Sequence, residues 1–207
     1  MNRRDFSRLA VAGVGLALFP KVAARATLLD HKRPAEWGWL NEQLLDRARA
    51  ALDRHHGAFE LRDRIALADF SVASREFRFH IVDLIDGRTS SYLVAHGRGS
   101  DPEHSGWLHR FSNEPGSFAS SAGTYRTGEI YEGAHGQSMR LIGLDEGNNN
   151  AEARAIVIHG ADYVSENQIA TWGKLGRSEG CLAVAPHMLP QVLGLLGPGR
   201  MLYADKV

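Results

Sequence analysis

The sequence predicts a mainly β fold, a single-domain sandwich or barrel with a few peripheral helices. Three observations carry this. Short strand-like runs bounded by Gly, Asn, Asp and Ser recur from residue 64 onward. The segment Arg154-Ala155-Ile156-Val157-Ile158 is the strongest of them, a largely apolar run suited to a buried strand. Helical spacing is confined to one segment near the N-terminus and a short one near the C-terminus.

The chain opens with Arg3-Arg4-Asp5-Phe6, an uncharged apolar stretch from Leu9 to Phe19, and then Ala24-Arg25-Ala26. A basic start, a short apolar centre and an A-x-A site describe a signal peptide over residues 1–26, with the Arg-Arg-x-Phe pattern of a twin-arginine signal. The apolar stretch has 11 residues, whereas a bilayer span takes about 20, so no stable membrane anchor is expected. The expected location is the periplasm or cell envelope. Residues 27–59 read as linker and N-terminal helix. The helix runs from Glu36 to His56, carries Trp37, Leu40, Leu44, Leu45, Ala48, Ala51 and Leu52 at helical spacing, and has Gly57 at its C-cap. Residues 60–207 form the main domain.

Within that domain, Arg64 to Phe70 is expected as a strand. Phe77 to Ile85 and Ser91 to Val94 are expected to pair through a two-residue turn at Asp86-Gly87, leading into the loop His96-Gly97-Arg98-Gly99-Ser100. A long loop spans Phe111 to Ala122. Strands follow at Thr124 to Tyr131 and Ser138 to Leu144, and Gly147 to Asn150 turn the chain into the Arg154 to Ile158 strand. That strand delivers His159 and Gly160 at its end. His187 to Leu196 reads as a short helix stopped by Gly197-Pro198-Gly199, and Met201 to Tyr203 as a last strand.

Composition narrows the function. Five of the 24 basic and one of the 24 acidic residues lie within residues 1–26, which leaves 19 basic against 23 acidic in the remaining 181. A mildly acidic chain without a Lys/Arg stripe is a poor nucleic-acid binder. The 10 histidines form no His-Glu-x-x-His pattern, so neither a metal nor another cofactor is expected. There is one cysteine, so no internal disulfide is possible. A lone thiol in an exported chain is either an inert buried residue or one kept for chemistry.

The neighbours of that cysteine favour chemistry. In Arg177-Ser178-Glu179-Gly180-Cys181, Gly180 permits a sharp turn and close approach of a substrate, and the amides of Gly180 and Cys181 are candidate oxyanion donors. His159, 22 residues before Cys181, is a side chain able to act as a base near neutral pH. Sortases also place His ahead of Cys but carry Thr-Leu-x-Thr-Cys with a nearby Arg, whereas here Gly precedes Cys181 and the next Arg is Arg200; papain-like enzymes place Cys first.

The run Ile158-His159-Gly160-Ala161, a spacer, then Ser178-Glu179-Gly180-Cys181 resembles the L,D-transpeptidase (YkuD-like) catalytic domain. His96-Gly97, Phe111-Ser112-Asn113, Gly123 to Gly128 and Gly143-Leu144-Asp145 extend the similarity toward a divergent branch of murein L,D-transpeptidases, over about residues 60–205. The resemblance implies a YkuD-like β-sandwich or barrel and a reaction on peptidoglycan stem peptides. Cys181 would attack the third-residue diamino acid carbonyl and release D-Ala; the thioester would pass to an amine, an acceptor protein, a D-amino acid or water. His159 would be the base and Ser178 would support the loop. Gly160, Arg177, Tyr163, Trp172 and His96 are the expected substrate-binding residues, with Arg154 a further candidate for a substrate carboxylate; His96 reads equally as a strand cap. Two departures stand out: Glu179 replaces the family's usual His, and Ala183 stands where many relatives keep Arg. Glu179 keeps a non-catalytic wall-binding module in play.

Overall fold

The computed structural model describes residues 40–207. The expected signal peptide, the linker to Pro34, Trp37 and the start of the first helix lie outside the described residues. Among those described, no helix is long and apolar enough to cross a membrane.

The first helix, α1 (Glu42–Arg54), begins where Asn41 caps it, its side chain accepting from the amides of Gln43 at 3.1 Å and Leu44 at 3.3 Å. It stops at Arg54, earlier than the expected end near Gly57, and His55 is its C-cap. The His55 ring meets Asp145 at 2.8 Å and ties this end to the domain. Nine strands follow: β1 (Arg64–Asp69), β2 (Phe79–Asp83), β3 (Thr89–Tyr92), β4 (Val94–Ala95), β5 (Gly123–Gly133), β6 (Gly136–Gly143), β7 (Val157–Gly160), β8 (Leu182–Val184) and β9 (Met201–Asp205). Two further helices are α2 (Glu166–Trp172), between β7 and β8, and α3 (Leu189–Leu196), before β9.

All nine strands form one sheet in the order β3-β2-β1-β9-β5-β6-β7-β8-β4. Its two edge strands, β3 and β4, are separated in sequence by Leu93 alone. Two consecutive virtual bonds reach at most about 7.6 Å, so the sheet curls until its edges meet at this seam. That is the closed, mainly β architecture expected. Most pairs are antiparallel, but β1–β9 and β7–β8 are parallel.

Alternation along the strands divides the core. Ala66 and Ala68 of β1 and Leu202 and Ala204 of β9 face the main cluster with Phe70, Tyr125, Ile158 and the inner side of α3. Ile65, Leu67, Met201 and Tyr203 face the other way, onto Leu44, Leu45, Ala48 and Leu52 of α1. Each fully buried Leu of that interface stabilises the fold by roughly 1.5–3 kcal/mol. A third cluster, Leu93, Ala95, Val164, Leu175, Ala183 and Ala185, lies under the segment that carries α2.

Three local expectations are corrected. The expected return strand from Ser91 to Val94 is cut at Leu93, because the chain crosses the seam there from pairing with β2 to pairing with β8. The hairpin turn is longer than two residues: Asp83 pairs with Arg88, and the Asp83 carboxylate accepts from the amide of Ile85 at 2.9 Å inside the loop. The strand expected from Arg154 begins only at Val157. Consecutive turn bonds, Arg154 to the carbonyl of Asn150 at 2.8 Å and Ile156 to that of Ala151 at 2.9 Å, hold the first apolar residues in a coil.

Candidate active site

The turn that carries Cys181 is held from three sides. Ser178 pairs in parallel with the His96–Arg98 segment: its amide donates to the carbonyl of His96 at 2.9 Å, and its carbonyl accepts from the amide of Arg98 at 2.7 Å. The Ser178 hydroxyl donates to the carbonyl of Cys181 at 2.7 Å and accepts from the amide of Gly180 at 3.1 Å. Ser120 closes the third side, its hydroxyl donating to the carbonyl of Gly180 at 3.2 Å while accepting from the amide of Gly97 at 3.0 Å. Gly180 has φ +119°, a conformation that costs a side chain dearly, and a Cβ there would lie 2.8 Å from the carbonyl of Ala119. The Gly180 amide, expected to face an oxyanion, is engaged by the Ser178 hydroxyl.

The thiol is half-buried and donates weakly to the carbonyl of Ala155 at 3.5 Å. Ala155 itself is left-handed, φ +53°, and this tight turn aims its carbonyl at the sulfur. Burial pushes the Cys181 thiol up from its ordinary value; the Val157 amide and the Arg154 cation act against that, and Glu179 adds to it. At rest the sulfur keeps its proton, so its activation needs a base.

His159 is placed by the β7–β8 pairing. Ile158 lies opposite Leu182 and His159 opposite Ala183. Ile158 and Leu182 face the main core, so His159, Ala183 and, two residues earlier, Cys181 belong to the other face. The crossover that joins these parallel strands is the α2 segment, seated through Val164 and Leu175 over the same face. The His159 Nδ1 meets the carbonyl of Gly160 at 2.9 Å. A carbonyl only accepts, so Nδ1 carries the hydrogen and Nε2 is the basic nitrogen of the neutral ring. Burial lowers the His159 pKa and the charge of His135 lowers it further, against the raising effect of the Gly160 carbonyl. His135 lies face to face with it, ring centroids 4.4 Å apart and 24° from parallel. Sequence reasoning passed over His135, which lies in the Gly-rich β5–β6 turn, 24 residues before His159 with no pattern linking them.

The remaining expected residues divide. Tyr163 packs its ring base on Gly176 and lies near the thiol; burial pushes its hydroxyl up to about 12, with Cys181 and Glu179 adding to the rise. Trp172 ends α2 and is 64% exposed. Gly160 has no room for a side chain beyond its Cα without pressing on Pro186, and its carbonyl fixes the base. Arg154 lies beside Gly180, but its terminal nitrogens are taken by the loop, bonding the carbonyls of Ser112 and Ala119 and the hydroxyls of Ser121 and Ser117. It is a clamp and a nearby positive charge rather than an open fork for a carboxylate. Arg177 turns to the carbonyls of Asp101 and Pro102.

His96 is not in the cleft. It is 1% exposed and sits between Arg78 and Asp101. The Arg78 guanidinium, itself fully buried, donates to His96 Nδ1 at 2.8 Å and to the carbonyls of Val94 and Val72. The other ring nitrogen is 3.4 Å from the Asp101 carboxylate, long for a hydrogen bond, so it lacks a full partner. His96 therefore serves the scaffold beneath the Ser178 turn. Glu179 points outward and pairs with Arg98 at 3.1 Å, and the Arg98 guanidinium lies 3.8 Å over the Phe118 ring. Among the described residues, no group of three or more His, Cys, Asp or Glu is placed to hold a metal ion.

A curled mainly β domain with a histidine on one of two adjoining parallel strands and a cysteine in the turn that enters the other defines the class. The chain matches the family of L,D-transpeptidase catalytic domains over residues 37–204 and belongs to it. No curated protein shows significant sequence similarity to the chain. Solved structures that it resembles include an L,D-transpeptidase from Mycobacterium smegmatis, at 11% identity and TM-score 0.42, covering 69% of this chain and 58% of that one. Another is an L,D-transpeptidase from Mycobacterium tuberculosis, at 12% identity and TM-score 0.44, covering 70% and 58%. This chain thus spans less than two thirds of the length of these relatives.

Proposed function

We propose that this protein is an exported L,D-transpeptidase that acts on peptidoglycan stem peptides through a Cys181 thioester. The observation that carries the reading is the parallel pairing of the strand that holds His159 with the strand that Cys181 directly precedes, the base being fixed in one tautomer by the carbonyl of Gly160. The His159 Nε2 accepts the thiol proton as sulfur leaves the Ala155 carbonyl and attacks the carbonyl of the third residue, a diamino acid. The C–N bond to the terminal D-Ala then breaks, and His159 returns the proton to the departing amine. An amine attacks the thioester in the second half, with its proton taken by His159, and Cys181 is released. The Cys181 amide is the candidate donor to the oxyanion, since Ser178 holds that of Gly180. Export to the periplasm rests on the Arg-Arg-x-Phe signal pattern.

The test is intact-mass spectrometry of the protein after incubation with a carbapenem, whose strained amide mimics the acyl-D-Ala end of a stem peptide. One drug mass is expected on the wild type and none on Cys181→Ala. No adduct, together with slow alkylation of Cys181 by iodoacetamide, would sink the reading in favour of a non-catalytic wall-binding module.

A further inference from the structure

We propose that His135 is a positioning residue for the base: its ring, stacked on His159, sets the plane in which His159 presents Nε2 to the Cys181 thiol. The inference rests on the proposed reaction but is argued from a separate contact. The hydrogen bond from Nδ1 to the Gly160 carbonyl holds one atom of the His159 ring. The last torsion of a histidine is broad, so one bond leaves the ring free to rock out of its plane. A second flat ring at 4.4 Å and 24° removes that freedom, because only a near-parallel His159 fits beneath it.

The hairpin is built to deliver it. Gly133 pairs with Gly136 across a two-residue tip, Ala134-His135, and Gly136 takes φ +72°. Two residues on, Ser138 lies opposite His159 in the sheet, so the tip sits at the end of the strand that flanks the base. His135 is exposed and contributes nothing to the core, yet its ring lies on His159 rather than extending into water. The nucleophile's own turn offers no imidazole, since Glu179 precedes Gly180.

The neighbours of His159 in the sheet, Ser138 on β6 and Ala183 on β8, are not ionisable. Tyr131, opposite Ser138, and Arg140, two residues on from it, share this face with Tyr163 and Cys181. His135 opposes a proton on His159.

The experiment compares wild type, His135→Ala and His135→Phe, reading the His159 ring by two-bond 1H–15N NMR against pH and the carbapenem acylation rate against pH. In the wild type, His159 is expected as the Nδ1–H tautomer. His135→Ala is expected to mix the tautomers, move the His159 titration and the acidic limb of acylation to higher pH, and slow acylation by roughly tenfold or more. His135→Phe keeps the stack and is expected to restore the single tautomer and most of the rate. A His135→Ala protein with unchanged tautomer, titration and rate overturns the proposal, and so does a His135→Phe protein whose tautomer and rate match those of His135→Ala. A wild type that forms no adduct would defeat the proposed reaction, while the NMR titration would still decide the role of His135.

Discussion

Gly97 and Gly180 touch backbone to backbone: a Cβ on Gly97 would stand 2.7 Å from both the Cα and the nitrogen of Gly180, and 2.3 Å from the carbonyl oxygen of Phe118. The nucleophile turn has no slack on this side. Because Gly97 has φ −70°, an alanine there meets no torsional strain, and its whole effect is steric.

Gly97→Ala is therefore expected to displace the turn. The expected cost is about 1–3 kcal/mol of stability and a fall of roughly a hundredfold in Cys181 acylation. Urea unfolding and adduct formation measure the two separately. Wild-type acylation in the folded variant would show that the contact does not position the thiol.

Arg154 and Glu179 pull the thiol in opposite directions. Replacing Arg154 with Met removes a cation that favours the thiolate, so the pH profile of iodoacetamide alkylation should shift to higher pH. The same variant releases the 112–121 loop from its clamp, which faster proteolysis of that loop would report.

Glu179→Gln should do the reverse. Loss of the anion beside the sulfur moves alkylation to lower pH and speeds it near neutrality. The broken pair with Arg98 is exposed and contributes no more than about 1 kcal/mol, so the unfolding midpoint should hardly change. An alkylation profile that moves upward would contradict this account of Glu179.

Stability should fall in mild acid. His80 and His96 are buried and neutral, with pKa values drawn down by burial to about 4 and about 3. Above pH 6.5 neither the folded nor the unfolded chain protonates them, and nothing is lost. As pH drops below 6.5 the unfolded chain takes up protons that the folded chain refuses until about pH 4 for His80. By then that one residue has cost roughly 3 kcal/mol. The lowered carboxylates Asp63, Asp101 and Asp145 add their own loss at still lower pH. A urea midpoint unchanged between pH 7 and pH 4.5 would refute the buried-histidine argument.

What was legible in the sequence was what short-range pattern records. Short strand-like runs bounded by turn residues marked β1 and β2, the spacing of Leu44, Ala48 and Leu52 marked α1, and His159 and Cys181 stood out through their glycine neighbours. The parallel pairing of β1 with β9 left no trace, since each strand reads alike whichever neighbour it takes. β8 escaped notice because Leu182–Val184 is three residues long and follows directly on the nucleophile turn. Ala155 and Ile156 read as strand by hydropathy, yet turn bonds from Asn148 onward claimed them. His96 read equally as a cleft residue and as a strand cap, because nothing near it announced that Arg78 would be buried against it. Stacking of His135 on His159 joins two strands through a turn, and only the three-dimensional register brings them together.

The position of β9 has a consequence for how the molecule comes into being. Met201–Asp205 lies between β1 and β5, in the middle of the sheet rather than at its margin. Ile65 meets Met201 across 136 positions of sequence. Until that last segment docks, β1 and β5 each present a row of unpaired backbone groups, and an early nucleus has no way to grow outward from the N-terminal side. Non-local closure of this kind is slow, and the waiting edges are adhesive. Removing residues 201–205 would consequently give not a trimmed enzyme but a chain that aggregates before it can fold.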